Sequence, residues 1–444
     1  MTSDAYPSQI AQYVRARWRA LRQDTPLAAD AERDTAVIES SAFEQLLSTA
    51  YQASLLHEET RPVTFRLLVG GPESLDPKAG PPSGLHRLVF DAPRAYDAHE
   101  LRRLSPAAKY HRALIGVRRA ANDSFEIWGV LHSGPRWLQQ ASGGRTQLTP
   151  DQLLIVRVTG PGRLAVTWGE TTLAQVRGGR LLEASIDVCQ SAWFAARFAN
   201  VRAEVFSLFE AEQRAALVMG SRIPLDRELT RIITQQMLKR LVSVMRAAHH
   251  GGTVVLIPPN DAASLLAPDS PLRLKYRFAD DEGRRRYRAL MLASLRVISE
   301  GAASLQPRPD LVDWSVYQRC SSPAVAALDE AIFEMSHLIA ALADVDGVVL
   351  MTQRFELLGF GGEITGQLSE LQSVRRALDL EGTTRESESI DGVGTRHRSA
   401  YRLCAHLKQA IAIVVSQDGG ARFIAWHEGE TTYWDHDSAD GADI

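Results

Sequence analysis

The chain has 444 residues, enough for two or three domains that each bury a core, and its 45% hydrophobic and 23% charged content is that of an ordinary globular protein. A net charge of −3 gives no overall pull toward nucleic acid or an anionic membrane, so no nucleic-acid partner is expected and any anion site must be local. No run of about 18 apolar residues exists, the N-terminus lacks a signal-peptide core, and Cys189, Cys320 and Cys404 show no metal-ligand spacing; the expectation is a cytoplasmic protein with buried reduced thiols and no membrane partner.

Near the start, Ile10, Tyr13, Val14, Trp18 and Leu21 recur at helical spacing among Arg15, Arg17, Arg19 and Arg22. Asp30, Glu32 and Asp34 follow closely, so the pattern predicts a docking or oligomerisation helix rather than a membrane-surface anchor. Residues 43–56 read as a second helix and 63–69 as a strand. The Pro- and Gly-rich stretch 70–84 is a surface loop, whose glycine pair lacks the helix and lysine of a P-loop. From His111 the period changes to two, with strands at 113–118, 125–132, 153–158, 164–168 and 172–176 and turns at Gly160-Pro161-Gly162 and Gly178-Gly179. Serial hairpins of this kind predict a β-rich meander, a small sheet or barrel without catalytic spacing. An apolar helical stretch from Trp193 to about Val218 then carries the chain to a boundary at Gly220 to Pro224.

Beyond it, Pro224, Asp226 and Glu228 open a helix bearing Leu229, Ile232, Ile233, Met237, Leu241 and Met245, which ends at His249-His250-Gly251-Gly252. A buried strand follows at 253–258. Residues 272–298 read as an insertion, with Arg284-Arg285-Arg286 on the solvated face of a helix. A helix over 323–343, N-capped by Ser321 or Ser322, carries Leu328, Ile332, Met335 and Ile339 on one face. It leads into Val345-Asp346-Gly347-Val348-Val349-Leu350-Met351, a strand with a carboxylate and a glycine at its start. The stretch from Gly362 to Ile390 reads as an inserted helix plus a mobile loop, with Arg375, Arg376 and Arg385 as a solvated face. Gly394-Thr395-Arg396-His397-Arg398 then opens a helix with Tyr401, Leu403, Cys404 and Leu407 apolar. Strands follow at 410–415, ending in Val414-Val415-Ser416-Gln417, and at 421–427 and 431–434.

The chemistry concentrates in that Gly-Thr-Arg-His-Arg run. A glycine and a threonine at a helix N-terminus offer unpaired backbone N–H groups, and Arg-His-Arg adds two fixed cations and one titratable donor, which together suit a polyphosphate. Taken alone, such a run is also what an N-cap with solvated basic residues looks like, and a lone Asp-Gly pair is also an ordinary turn.

Taken together and in this order, Asp346-Gly347 on a strand, Gly394 to Arg398 opening a helix and Val414 to Gln417 closing a strand resemble the diadenylate cyclase domain, of the DNA-integrity scanning type. The likeness is clear from Pro323 to about Trp434 and weaker from about residue 222. The resemblance implies an α/β (α+β) fold, a C-terminal mixed sheet flanked by helices behind the β-rich N-terminal module. It implies four segments: a helical segment 1–42, a sensor domain 43–219, a cyclase-like domain 222–437 and a tail 438–444. The layout is similar to that of the probable sensor domains of DACNV type that precede cyclase domains. The implied reaction condenses two ATP into cyclic di-AMP with release of two pyrophosphates. The resemblance makes Asp346 the catalytic residue and the ligand of a divalent metal, Mg²⁺ or Mn²⁺. It assigns nucleotide binding to Gly347, Val348, Gly394, Thr395, Arg396, His397, Arg398 and Ser416. It also implies a homo-oligomer, at least a face-to-face dimer, and an unknown ligand at the N-terminal module. Two departures stand out: Val348 where the family has alanine, and the long 362–390 connector. They motivate the alternative of a catalytically lapsed nucleotide or cyclic-dinucleotide sensor, and a purely structural partner is a third reading.

Overall fold

The computed structural model describes residues 6–24, 30–81, 84–110, 112–134, 153–169, 171–177, 179–182, 186–215, 223–248, 250–320, 322–364, 368, 370–417 and 419–436. Within them the chain forms two compact units, residues 6–182 and 186–436, each with its own sheet. Gly220 to Arg222 of the expected boundary, the tail, Gly178, Val218, His249 and Ser321 lie outside the described residues.

In the first unit the helical spacing near the start produces α1 (Pro7–Asp24), followed by α2 (Asp30–Ile38) and α3 (Ala42–Ser54). A short hairpin, β1 (His57–Glu58) and β2 (Arg61–Pro62), leads to β3 (Phe65–Val69), β4 (His86–Ala95), α4 (Ala98–Leu104), β5 (Ala113–Arg119), β6 (Phe125–His132), β7 (Leu154–Gly160), β8 (Arg163–Trp168), β9 (Thr171–Arg177) and β10 (Arg180–Leu182). The sheet order is β10-β9-β8-β7-β3-β5-β6-β4, antiparallel except where β3 runs parallel to β5. Serial hairpins therefore hold for β7 to β10, whereas β3 is inserted at the centre beside β7. Strand β4 carries no period-two signal because its register jumps between Val89 and Arg94, a bulge that takes in Pro93, and most of its side chains are exposed.

The stripe on α1, expected to serve docking or oligomerisation, is covered by this unit itself. Ile10, Val14 and Trp18 are buried in one core with Phe43, Leu46, Phe65 and Trp168. Trp18 meets Trp168 edge-on at 5.2 Å. Burying each such side chain contributes about 1.5–3 kcal/mol, so the helix is a structural layer of the module.

The second unit runs α5 (Ala192–Arg197), α6 (Ala199–Ala215), α7 (Arg227–Ala247), β11 (Gly252–Ile257), α8 (Ala262–Leu265), β12 (Leu272–Arg277), α9 (Arg286–Ala302), α10 (Trp314–Arg319), α11 (Pro323–Ala343), β13 (Val348–Thr352), β14 (Leu357–Ile364), β15 (Ser373–Ala377), β16 (Arg385–Ser389), α12 (Thr395–His406), β17 (Ile411–Val415), β18 (Ala421–His427) and β19 (Glu430–His436). Asp226 caps α7 by accepting from Glu228 N, and Ser322 caps α11 by accepting from Val325 N with Pro323 at its first position. The nine strands lie in the order β12-β14-β13-β11-β17-β18-β19-β15-β16, a mixed sheet in which β11 runs parallel to β13 and β15 parallel to β19. Alternation along the buried strands feeds two cores. Val254, Leu256, Val349 and Met351 face the layer with α7, α9 and α11, while Val255, Val348, Leu350 and Val414 face the layer with α12.

Two expectations fail here. Residues 272–277 are no insertion beside the sheet but its edge strand β12, paired antiparallel with β14. The inserted helix expected in 362–390 is the hairpin β15–β16, with residues 365–367 and 369 outside the described set. Its basic residues are not a solvated face: Arg375 pairs with Glu430 at 2.9 Å, Arg376 with Asp435 at 3.1 Å and Arg385 with Glu428 at 2.7 Å. Those partners, on β19 and in the turn before it, lie more than forty residues downstream, beyond what local periodicity can see.

Candidate functional site

Register brings the three motifs to one end of the second sheet. Thr253 opposes Val348 across the parallel pair β11–β13, and opposes Val414 across the antiparallel pair β11–β17. The starts of β11 and β13 and the finish of β17 therefore share an edge, with Gly251, Gly347 and Ser416 just beyond the paired residues.

Helix α12 brings its N-terminus to that edge, and Arg396 is the contact. Its Nη1 donates to the His250 carbonyl at 3.4 Å, and its Nη2 lies 3.7 Å from Asp346 Oδ1. The turn beneath it requires glycine: Gly251 has φ +69°, and a Cβ there would sit 2.8 Å from Arg396 Nη1 and 2.9 Å from the Val415 carbonyl. Gly347 is equally constrained, with φ +119° and a Cβ that would meet the Gly361 and Gly362 backbone at 2.7 and 2.8 Å. The Asp346 side chain is 95% exposed beside it.

Gly394 is the N-cap of α12 and offers no side chain to its first turn, so the helix presents backbone N–H groups at this edge. Thr395 and Arg398 are exposed, and His397 is half-buried with its ring 6.4 Å from Tyr401. Ser416 closes the β17–β18 turn, its N and Oγ both donating to the Gly420 carbonyl at 2.8 and 3.0 Å. Val348 is 6% exposed and packs into the core under α12. Thr253 beside it is buried, and its hydroxyl has no hydrogen-bond partner among the described residues.

A polar network fixes the far face of α12. Arg422 donates to Tyr401 Oη at 3.0 Å and to Asp435 at 2.9 Å. Burial pushes the Tyr401 phenol up to about 12, so it remains a neutral anchor. Two groups beside the site escaped the sequence reading: the His250 carbonyl, which only a folded turn can aim, and Lys275. Lys275 pairs with Glu363 at 2.7 Å, and this partner and the more distant Asp346 both raise its pKa.

Among the described residues no cluster of three His, Cys, Asp or Glu side chains is arranged to hold a metal ion. Asp346, one exposed carboxylate, has the chemistry of a single hard-cation ligand, and a Mg²⁺ or Mn²⁺ held there would take its remaining ligands from water or from a bound molecule. No helix of the described residues is long and apolar enough to cross a membrane.

Residues 32–132 match the family model of the probable sensor domain DACNV. That span begins in α2 and ends with β6, and the candidate site residues lie beyond it. No curated protein and no solved structure matches the chain.

Proposed function

We propose that the second unit binds ATP at the sheet edge formed by Asp346, Gly347, Arg396 and Ser416, and that the chain is a diadenylate cyclase controlled by its N-terminal sensor module. The observation that carries this reading is the position of Arg396, which joins the loops entering β11 and β13 to an uncapped helix N-terminus. A triphosphate laid along that edge meets backbone N–H groups of α12 and the guanidinium groups of Arg396 and Arg398.

In the reaction each ribose 3′-oxygen forms a bond to the α-phosphorus of the other ATP. The bond to pyrophosphate breaks, and the hydroxyl proton leaves. Asp346 orients that hydroxyl and accepts its proton, Gly347 holds the turn beside it in the left-handed conformation, and Thr395 and His397 contribute polar groups at the helix start, while the Ser416 hydroxyl would have to turn from the Gly420 carbonyl to reach a phosphate. A divalent ion held by Asp346 would neutralise phosphate charge when bound. One unit positions one nucleotide, so the product requires a homo-oligomer in which two such edges face each other. Three free cysteines, all buried, fit a cytoplasmic protein.

The second reading, a nucleotide sensor without turnover, is favoured by one feature: Arg396 stands 3.7 Å from Asp346 Oδ1, a weak contact that competes for the carboxylate. Purified protein incubated with ATP and Mn²⁺ decides between them. Cyclic di-AMP in the product supports the cyclase; saturable ATP binding without product supports the sensor; no ATP binding removes both.

A further inference from the structure

The segment that links the sensor module to the second unit does not end where the sheet begins. Residues 186–198 lie on the second unit and join its core: Val188, Cys189, Phe194 and Phe198 are buried with the α7 and β18 side chains. Val188 N donates to His436 Nδ1 at 3.3 Å, and Asp187 pairs with Lys239 at 2.8 Å in a nearly buried site.

Two contacts of this segment fall on either side of the helix that carries Thr395 to Arg398. Ahead of it, Glu381, at the tip of the β15–β16 hairpin, accepts from Ala192 N at 2.9 Å and Trp193 N at 3.3 Å. That tip is tightly seated, since Gly382 has φ +69° and a Cβ there would lie 2.7 Å from the Trp434 ring, on which Trp193 stacks at 4.3 Å. Strand β16 then runs through Ile390 to Gly394 straight into α12. Behind the helix, Arg197 Nη1 donates to the Lys408 carbonyl at 3.0 Å and to Gln409 Oε1 at 2.6 Å, and its Nη2 donates to the Trp426 carbonyl at 2.6 Å. Lys408 and Gln409 form the turn that ends α12 and starts β17, the strand that finishes at Ser416.

We propose that this segment is a strap that sets the position of α12 from both ends, with Glu381 and Arg197 as positioning residues, and that it is the route by which the state of the sensor module reaches the nucleotide site. The proposal rests on the ATP-binding reading for its functional consequence, but not for the mechanical link. The strap is covalently continuous with the sensor module, and a shift of α5 must move the hairpin tip, the α12–β17 turn, or both, because each is hydrogen-bonded to it.

The test uses the full chain and two variants, Arg197→Ala and Glu381→Gln, the second milder because the amide oxygen still accepts. Amide hydrogen exchange is followed at 407–411 and at 394–398, ATP affinity is measured in parallel, and melting shows that each variant is folded. The expected result is faster exchange at both segments, although Arg197 touches only the first, together with ATP affinity about fivefold weaker or more, as for a typical coupling between sites. Arg197→Lys, which keeps the charge but not the fork, is expected to lie between parent and alanine. Faster exchange confined to 407–411 overturns the strap, as does parent-like exchange at 394–398 in both variants. Should the parent bind no ATP, the functional proposal falls while the exchange at 394–398 still decides the link.

Discussion

Arg396 Nη2 stands 3.7 Å from Asp346 Oδ1, so the cation expected to hold phosphate and the carboxylate expected to hold the metal face each other across the sheet edge. A contact this long, on a carboxylate that is 95% exposed, is worth at most about 1 kcal/mol. It therefore keeps the two groups close without locking them, and under the proposed function a nucleotide with its metal would replace it.

Asp346→Asn separates the two roles of this pair. A neutral amide is a poor ligand for a hard cation and a poor acceptor for the 3′-hydroxyl proton, so cyclic di-AMP synthesis at saturating Mn²⁺ is expected to disappear. Metal-free ATP affinity is expected to hold or rise, because Arg396 loses its competing partner. The melting temperature is expected to stay within a degree or two. Turnover near that of the parent removes Asp346 from the chemistry.

Arg396→Ala and Arg398→Ala each remove a charge-assisted hydrogen bond to phosphate, worth roughly 1.5–3 kcal/mol. A loss of ATP affinity of about tenfold or more is expected from each. Only Arg396→Ala is also expected to loosen the His250 turn, visible as faster amide exchange at 250–252, because only Arg396 bonds the His250 carbonyl. Two variants that titrate like the parent return both arginines to the solvated face.

Much of the second unit was legible because its signals are local. The helix at Pro323–Ala343 and the strand at Ala421–His427 have the bounds that periodicity and capping imply. The candidate site was legible as residues in order along the chain, not as an arrangement. Nothing local reveals that Thr253 opposes Val348, or that the turn at Gly251 seats Arg396. The hairpin β15–β16 was missed for the same reason: Arg375 and Arg376 read as solvated until Glu430 and Asp435 arrive from β19. Helix α1 is amphipathic in sequence and in structure, but sequence does not say which surface covers an apolar stripe, and here it is the unit's own α3 and sheet.

A pH test follows from Asp34, a carboxylate that accepts from Trp168 Nε1 at 2.9 Å inside the first unit. Burial raises its pKa to about 6, against a partial lowering by the Trp168 hydrogen bond. The folded value exceeds the unfolded one, so the folded state binds more protons between about pH 4 and 6. Stability from this group must then fall as pH rises through that window and level off above it, for a total of about 3 kcal/mol. Asp34→Asn keeps an oxygen for the indole N–H and carries no charge. It is expected to stabilise the first-unit unfolding transition at pH 7 and to do little at pH 4. Equal effects at both pH values, measured by denaturant unfolding, would mean that the charge of Asp34 has no part in it.

Val348 distinguishes the cyclase from the lapsed sensor. Its side chain is 6% exposed and belongs to the core beneath α12 with Val255, Leu350 and Val414, while its strand neighbours are Thr253 and Gly362. The extra methyl groups relative to alanine are thus matched by packing on the protein side. Opposite it on β14 stands a glycine, which adds no side chain to the same space. Val348→Ala is therefore expected to leave a small void, lower stability by roughly 1–2 kcal/mol and bring no gain in ATP affinity or product. If valine instead crowds the nucleotide, the same substitution relieves overpacking and ATP binding tightens despite the lost stability. Affinity and cyclic di-AMP output measured side by side for parent and variant separate the two, and an inactive parent restored by alanine would overturn the active-cyclase proposal.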